Sequence, residues 1–169
     1  MAIGLLLIRL LFGVLMAAHG SQKLFGWFGG YGLTGTGTFF EQLGFRPGRL
    51  FAAAASLTEV LGGVLLAVGL GGPIGPAFMV SVMIVAMVSV NWGHGLFAAT
   101  NGIEVPLLYA ASAAALAFTG SGRYSLDALV GLTSMSTTAN AGIALGVATL
   151  AAIANLAARH SAVPSSVHA

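Results

Sequence analysis

The sequence predicts an all-α integral membrane protein, an antiparallel four-helix transmembrane bundle with an additional C-terminal transmembrane helix. Hydrophobic residues make up 57% of the 169 residues and charged residues only 6%, whereas a soluble domain carries about a quarter charged residues. The apolar residues gather into runs close to the length of about 20 residues that crosses a bilayer. A chain with so few charges cannot cover a water-exposed surface, so we expect one compact membrane domain.

Glycine, proline and aromatic residues mark the breaks between the apolar runs. Pro47 suits the first turn of the second run, and Trp27 and Tyr31 lie in a glycine-rich loop, as expected of side chains at a membrane–water interface. We expect spans at 3–25, 47–69, 74–94, 104–119 and 138–158, and short interfacial helices at 38–43 and 126–132. These boundaries predict a four-helix domain over 1–132, the additional helix over 138–158 and a flexible tail over 159–169.

The basic residues bear on the N-terminus and on orientation. Arg9 lies inside the first run with no basic residue before it, unlike a secretory signal peptide, so we interpret this run as an uncleaved membrane helix. Arg123 falls on one side of the predicted bundle, and most of the other cations fall on the opposite side. These are Lys23, Arg46, Arg49 and Arg159. The positive-inside rule therefore predicts an external N-terminus and an internal C-terminus.

Several classes of function are disfavoured by the sequence. Cysteine is absent, which excludes disulfides, thiolate metal sites and cysteine-ligated clusters. There is no basic run of the kind that binds nucleic acid. His19 and His94 raise the question of haem, because imidazole is a common axial ligand, but no CxxCH motif supports it. No HxxxH or ExxH spacing is present either, so no metal site is predicted.

Ionisable residues within the spans are the main candidates for function. A helical projection places Arg9 and Lys23 on one glycine-containing face of the first span, with His19 at its edge. Glu59 lies near the middle of the second span, where a carboxylate costs at least about 2.5 kcal/mol. We expect it to pair with Arg9, with Lys23 or a histidine as the second choice. Both a structural ion pair and a redox or proton-handling role remain open.

Three further features lie in the later spans. Asn91 and His94 end the third span, beside Trp92. A methionine stripe in the same span, at positions 79, 83 and 87, is interpreted as core packing. Gly142 and Gly146 form a GxxxG motif in the last span, which permits close helix contact within or between chains.

Several stretches together resemble the DoxX-like family of small bacterial membrane proteins. They are "RLLFGVLMAAHGSQKLFGWFGGYGLTGTGTFFEQLGF", "LTEVLGGVLLAVG", "NGIEVPLLYA" and "GSGRYSLD", which cover about residues 5–127. The resemblance implies four membrane helices in the bacterial cell (inner) membrane. It also implies a link to quinone-dependent oxidoreductases that handle reduced sulfur compounds. The family's recurring polar residues are carried here by Arg9, His19, Lys23, Glu59, Asn101 and Glu104. The resemblance assigns them no catalytic role and does not cover the fifth span.

Two hypotheses follow. In the first, the chain is a membrane subunit of a quinone-linked redox assembly, and an oxidoreductase subunit if it takes part in catalysis. Glu59 would accept a proton, His19 would donate a hydrogen bond, and Lys23 completes this candidate catalytic set. The ring would be enclosed by Phe12, Trp27, Phe39 and Phe40. The full set of predicted ligand-binding residues is His19, Lys23, Phe39, Phe40, Asn91, His94, Asn101 and Glu104.

In the second hypothesis the chain is a non-enzymatic membrane scaffold or a small-solute carrier subunit, and the same polar residues only specify which helices meet. Either way, we expect contact with lipid, with a redox protein partner, and with a second copy of the chain through the last helix. No nucleic-acid partner is expected. Quinone is the cofactor that the first hypothesis implies.

Overall fold

The computed structural model describes residues 2–160, and these residues form helices and connecting turns without a β-strand. Seven α-helices follow one another: α1 Ala2–Phe25, α2 Gly32–Gln42, α3 Gly48–Val68, α4 Ile74–Ala86, α5 Glu104–Thr119, α6 Leu126–Val130 and α7 Thr138–Ala157. A π-helical turn, Met87–Asn91, and a 3₁₀ turn, Trp92–His94, extend α4. Three other short 3₁₀ turns lie at Trp27–Gly29, Ala98–Thr100 and Thr133–Met135.

Four of these helices are long and apolar enough to cross a membrane. They are α1, α3, α4 with its extension to His94, and α7. Helix α5 is apolar as well but has only 16 residues. The helical content and these spans confirm the predicted all-α membrane fold, and the protein is a multi-pass membrane protein whose outer helix faces contact lipid.

Glycines bring α1 and α3 into backbone contact. A Cβ atom at Gly13 would lie 2.6 Å from the carbonyl oxygen of Gly63, and one at Gly20 would lie 2.7 Å from that of Ser56. Only glycine fits at such distances. The position rises along α1 while it falls along α3, so the two helices are antiparallel. This contact sets the register that brings Lys23 next to Glu59.

The apolar core lies where α4 packs between α3 and α5. Met79 and Met83 of the methionine stripe are buried there, together with Met16, Leu66 and Leu116. Met87 of the stripe is half-buried in the π-helical turn. The interpretation of the stripe as packing therefore holds for the two residues that enter the core.

Helix α7 belongs to the bundle, since it packs along α4 and also touches α5. Its buried side chains are the alanines Ala141, Ala148 and Ala152. A Cβ at Gly142 or Gly146 would meet nothing within 4 Å. The GxxxG motif therefore makes no close contact within the described chain.

The short elements differ in detail from the predicted boundaries. Helix α2 starts at Gly32, earlier than the predicted 38, because the glycine-rich segment after Tyr31 is already helical. Helix α6 starts as expected at Leu126, capped by the Ser125 hydroxyl, but ends at Val130 because Gly131 turns into the left-handed conformation. Of the predicted flexible tail, Arg159 and His160 are described, and 161–169 lie outside the described residues.

Candidate functional site

A cavity of about 690 Å³ lies in the half of the bundle that contains the end of α1. Helix α3 forms its floor, because both α2 and α4 pack against α3, and both helices contribute to the cavity walls. Most of the lining is apolar. The polar lining residues are His19, Gln22, Lys23, Tyr31, Thr36, Thr38, Gln42, Thr58, Glu59, Ser81, Ser89 and Asn155.

An ion pair lies in the wall of this cavity. Lys23 Nζ lies 2.6 Å from Glu59 Oε1 and joins α1 to α3. The Glu59 side chain is 3% exposed and that of Lys23 is 25% exposed. A buried carboxylate needs such a partner, because its desolvation costs several kcal/mol. The long lysine side chain supplies the charge while its stem lies along the apolar wall.

The second carboxylate oxygen of Glu59 is unpartnered. Oε2 is buried and accepts no hydrogen bond from any residue that the structure describes. An ionised carboxylate offers several acceptor positions, and leaving a buried one unused costs about 1–3 kcal/mol. Buried polar groups are rarely left in this state. Glu59 therefore retains an unused acceptor in the wall of a cavity large enough for a small molecule.

The prediction that Glu59 pairs with Arg9 is wrong, because the partner of Glu59 is Lys23. Arg9 and Lys23 lie about 20 Å apart along α1, because each helical residue adds about 1.5 Å. The register between α1 and α3 places Lys23, the second choice, at the level of Glu59. Arg9 instead lies beside the end of α3. There it donates from Nε to the Leu66 carbonyl at 3.1 Å and from Nη2 to the Ala67 carbonyl at 3.0 Å.

The other residues around Arg9 complete a second buried polar cluster, at the opposite end of the bundle from the cavity. Nη1 of Arg9 donates to the carbonyls of Ser121 and Tyr124. Asp127, which is fully buried, accepts from the backbone N–H of Gly71 and of Gly72, both at 2.8 Å. It also accepts from the Ser121 hydroxyl at 2.7 Å. This cluster joins α1, the α3–α4 turn and the segment before α6.

The aromatic residues of the predicted site divide between two places. Phe39 and Phe40 line the cavity, with ring centroids 6.4 Å apart. Phe12 instead packs edge-on against Tyr109, 5.2 Å between centroids, beside the core. Trp27 is 57% exposed and does not line the cavity, although the neighbouring Gly29 and Gly30 do. His19 does line the cavity and is an exposed residue.

The remaining predicted ligand-binding residues lie away from the cavity and shape the α4–α5 connection. Asn91 Nδ2 donates to the Asn101 carbonyl at 2.8 Å, and Glu104 Oε2 accepts from the Ala98 N–H at 2.7 Å. His94 Nδ1 lies 3.0 Å from the Val90 carbonyl. Their prediction as ligand-binding residues is not supported by this geometry, because none of the four lines the cavity.

A comparison with sequence models of known families identifies the family. The DoxX family model matches residues 4–92, a little more than half of the chain. This chain belongs to the DoxX family. Searches among curated proteins and among solved structures found no match. The matched segment is shorter than the 5–127 expected from the motifs, and it ends at Trp92, within the extension of α4.

The DoxX segment contains nearly the whole cavity. All lining residues but Asn155 lie within 4–92, including both members of the Lys23–Glu59 pair. The segment after residue 92 adds α5, α6 and α7 to the DoxX helices. It supplies Asp127 for the cluster at the other end and Asn155 for the edge of the cavity.

Sequence reasoning missed several of these positions. Ser81 on α4 and Ser89 in its π-helical extension both line the cavity, and a helical projection of the predicted span 74–94 would have shown that they share a face. Asp127 was not singled out because it lies between the predicted spans rather than within one. Its signal is the Ser125-Leu126-Asp127 helix start in "GSGRYSLD". Among residues 2–160, no three histidine, aspartate or glutamate side chains gather in a way that would hold a metal ion.

Proposed function

We propose that this DoxX-family protein is a membrane subunit of a redox assembly and binds a quinone-type ligand in the cavity beside Lys23 and Glu59. The observation that carries the proposal is the Lys23–Glu59 pair in the cavity wall, whose buried Glu59 Oε2 has no hydrogen-bond partner among the described residues. A quinone-type head group combines a flat apolar ring with polar oxygens. The cavity provides the matching surfaces, with the rings of Phe39 and Phe40 and one charged pair.

Each residue of the pair has a role in this proposal. The Lys23 ammonium has three donors and uses one on Glu59, so it can donate another to a ligand oxygen. Glu59 would accept the proton of a ligand hydroxyl, as proposed from the sequence. His19, exposed in the same cavity, would exchange that proton with the surroundings. Quinone chemistry moves two electrons, which a redox partner protein must supply or accept, so we assign an accessory rather than a self-sufficient role.

The proposed setting is the bacterial inner membrane, with the cavity toward the cytoplasm. Exposed basic residues at the cavity end of the bundle include Arg46 and Arg49, near the α2–α3 turn. The exposed Arg123 lies at the opposite end, where Asp127 is buried. Arg159 donates to the Leu43 carbonyl at 3.0 Å and so lies at the cavity end as well. The positive-inside rule then supports an external N-terminus.

The experiment is quinone binding by the full chain purified in detergent and reconstituted in nanodiscs. We expect organic extraction of the purified protein to recover quinone above the level in empty nanodiscs. A short-chain benzoquinone should bind saturably, and Glu59→Ala should weaken binding about tenfold or more, since a hydrogen bond to a charged group contributes about 1.5–3 kcal/mol. Glu104→Gln is the matched control, because it changes a carboxylate outside the cavity.

The alternative function, a scaffold or small-solute carrier, predicts a different result. Quinone would then partition equally into loaded and empty nanodiscs, and Glu59→Ala would leave that partition unchanged. An optical spectrum of the same preparation tests for haem directly.

A further inference from the structure

The hydrogen-bonding state of the Lys23–Glu59 pair bears on which oxidation state of the ligand the cavity prefers. Lys23 Nζ bonds to Oε1 at 2.6 Å and is a pure donor, whereas the buried Oε2 is a pure acceptor without a partner. The wall therefore holds a donor and, buried directly behind it on the same carboxylate, an unused acceptor. A single ligand atom that both accepts and donates a hydrogen bond would satisfy the Lys23 donor and the Glu59 acceptor together.

We propose that this site prefers the hydroquinone form of a quinone-type ligand over the quinone form, an inference that rests on the proposed function. A hydroxyl oxygen accepts a hydrogen bond and donates one, so it would take a bond from Lys23 and give one to Glu59 Oε2. A quinone carbonyl only accepts. It would bond to Lys23 alone, leave Oε2 unpaired, and bring a second partial negative charge toward the carboxylate.

The ion pair must open slightly to admit the hydroxyl, because Oε2 has almost no exposed surface. Lys23 is the side that yields, being 25% exposed on a flexible stem while Glu59 is 3% exposed. The carboxylate keeps its place in α3, and the hydroxyl enters beside it. The hydrogen bond gained at Oε2 is one that no described residue makes, and only a ligand with a donor can make it, so it offsets the weaker Lys23–Oε1 bond.

A hydrogen bond to a charged group corresponds to a preference of about tenfold or more. If the reduced form binds tenfold more tightly, the two-electron midpoint potential of the bound couple rises by about 30 mV relative to the free couple. The site would thus favour retention of the reduced ligand.

The experiment compares three ligands of the same ring and tail in anaerobic equilibrium dialysis against the full chain in nanodiscs. They are a short-chain benzoquinone, its hydroquinone, and the dimethyl ether of that hydroquinone, which accepts but cannot donate. We expect the hydroquinone to bind at least about tenfold more tightly than either of the others. In Glu59→Gln, whose amide both donates and accepts, the preference should fall to about threefold or less, while Glu104→Gln should retain it.

The outcomes separate this inference from the proposed function. Equal binding of the three ligands, or tighter binding of the quinone, overturns the preference and leaves the binding function intact. Absence of saturable binding for all three overturns the proposed function and the preference together. The dimethyl ether tests the donor requirement on the unmodified protein, so the inference remains falsifiable even if Glu59→Gln does not fold.

Discussion

Lys23 and Glu59 form an ion pair of 2.6 Å between residues 36 positions apart in the sequence, and they do so beside a cavity of about 690 Å³. Helix α1 also carries Arg9, but that guanidinium bonds to main-chain carbonyls at the far end of the bundle. The two cations of α1 therefore have separate tasks. One sits at the proposed ligand site, and the other ties the chain together.

Loss of Lys23 should destabilise the protein more than neutralisation of Glu59. Lys23→Met leaves a buried carboxylate unpaired. Breaking a fully buried pair in this way lowers the free energy of unfolding by about 3–5 kcal/mol, and we expect the lower end of that range because Lys23 is partly exposed. Glu59→Gln keeps an acceptor for the lysine and should cost less. Unfolding in mixed micelles measures both, with Arg46→Gln as an exposed control. The double variant Lys23→Met with Glu59→Gln should recover part of the stability. Equal stability of Lys23→Met and the wild type would contradict this account.

Arg9 should tolerate no replacement, including lysine. Arg9→Ala removes every bond to the carbonyls at the end of α3 and before α6, and we expect a loss of about 3 kcal/mol or more. Arg9→Lys should restore little, because an ammonium cannot reproduce the fork of a guanidinium. Arg123→Gln, an exposed change at the same end of the bundle, is the control. Thermal unfolding of the three variants measures these losses, and a melting temperature of Arg9→Lys equal to that of the wild type would contradict this assignment.

The α1–α3 contact should be sensitive to side-chain size at Gly20 but not at Gly4. A Cβ at Gly20 would lie 2.7 Å from the Ser56 carbonyl, whereas one at Gly4 would meet nothing within 4 Å. We expect Gly20→Leu to destabilise by about 1–3 kcal/mol or more and Gly4→Leu on the same helix to be close to neutral. Denaturation in micelles distinguishes them, and similar losses for both would argue against the packing described.

The glycine face of α7 is the surface through which a second copy of the chain is predicted to pack. Gly142 and Gly146 face open space, so Gly142→Leu and Gly146→Leu should leave the stability of the single chain unchanged. If a second copy packs there, the same changes should lower the apparent mass in light scattering. Ala148→Leu, on the buried face of α7, should instead destabilise the fold. An unchanged mass in both glycine variants would remove the glycine face from assembly.

Orientation can be tested directly because the chain has no cysteine of its own. We expect Arg123→Cys to react with a membrane-impermeant maleimide in intact spheroplasts. Arg46→Cys should react only after lysis, since the positive-inside rule places the cavity end in the cytoplasm. Both positions are exposed, so each should label fully in detergent. The reverse pattern in spheroplasts would invert the proposed topology.

The sequence by itself determined the class of protein, because hydropathy is a property of local composition and a bilayer admits few ways to satisfy the backbone. It also predicted the four long spans and marked Glu59 and Lys23 as candidates, since an ionisable side chain within an apolar run is costly wherever it lies. The family membership belongs here too, with the motifs of α1 and α3.

Only the tertiary structure decided which groups meet. One helical turn moves a side chain by about 5.4 Å, so the register between α1 and α3 determines whether Glu59 faces Arg9 or Lys23. That register comes from backbone contacts at Gly13 and Gly20, whose partners lie on another helix. For the same reason Asn101 in the α4–α5 connection and Glu104 at the start of α5 bond within that connection, and Asp127 became a buried anchor. Their partners depend on how the turns fold back in space, which composition and spacing along one helix do not encode.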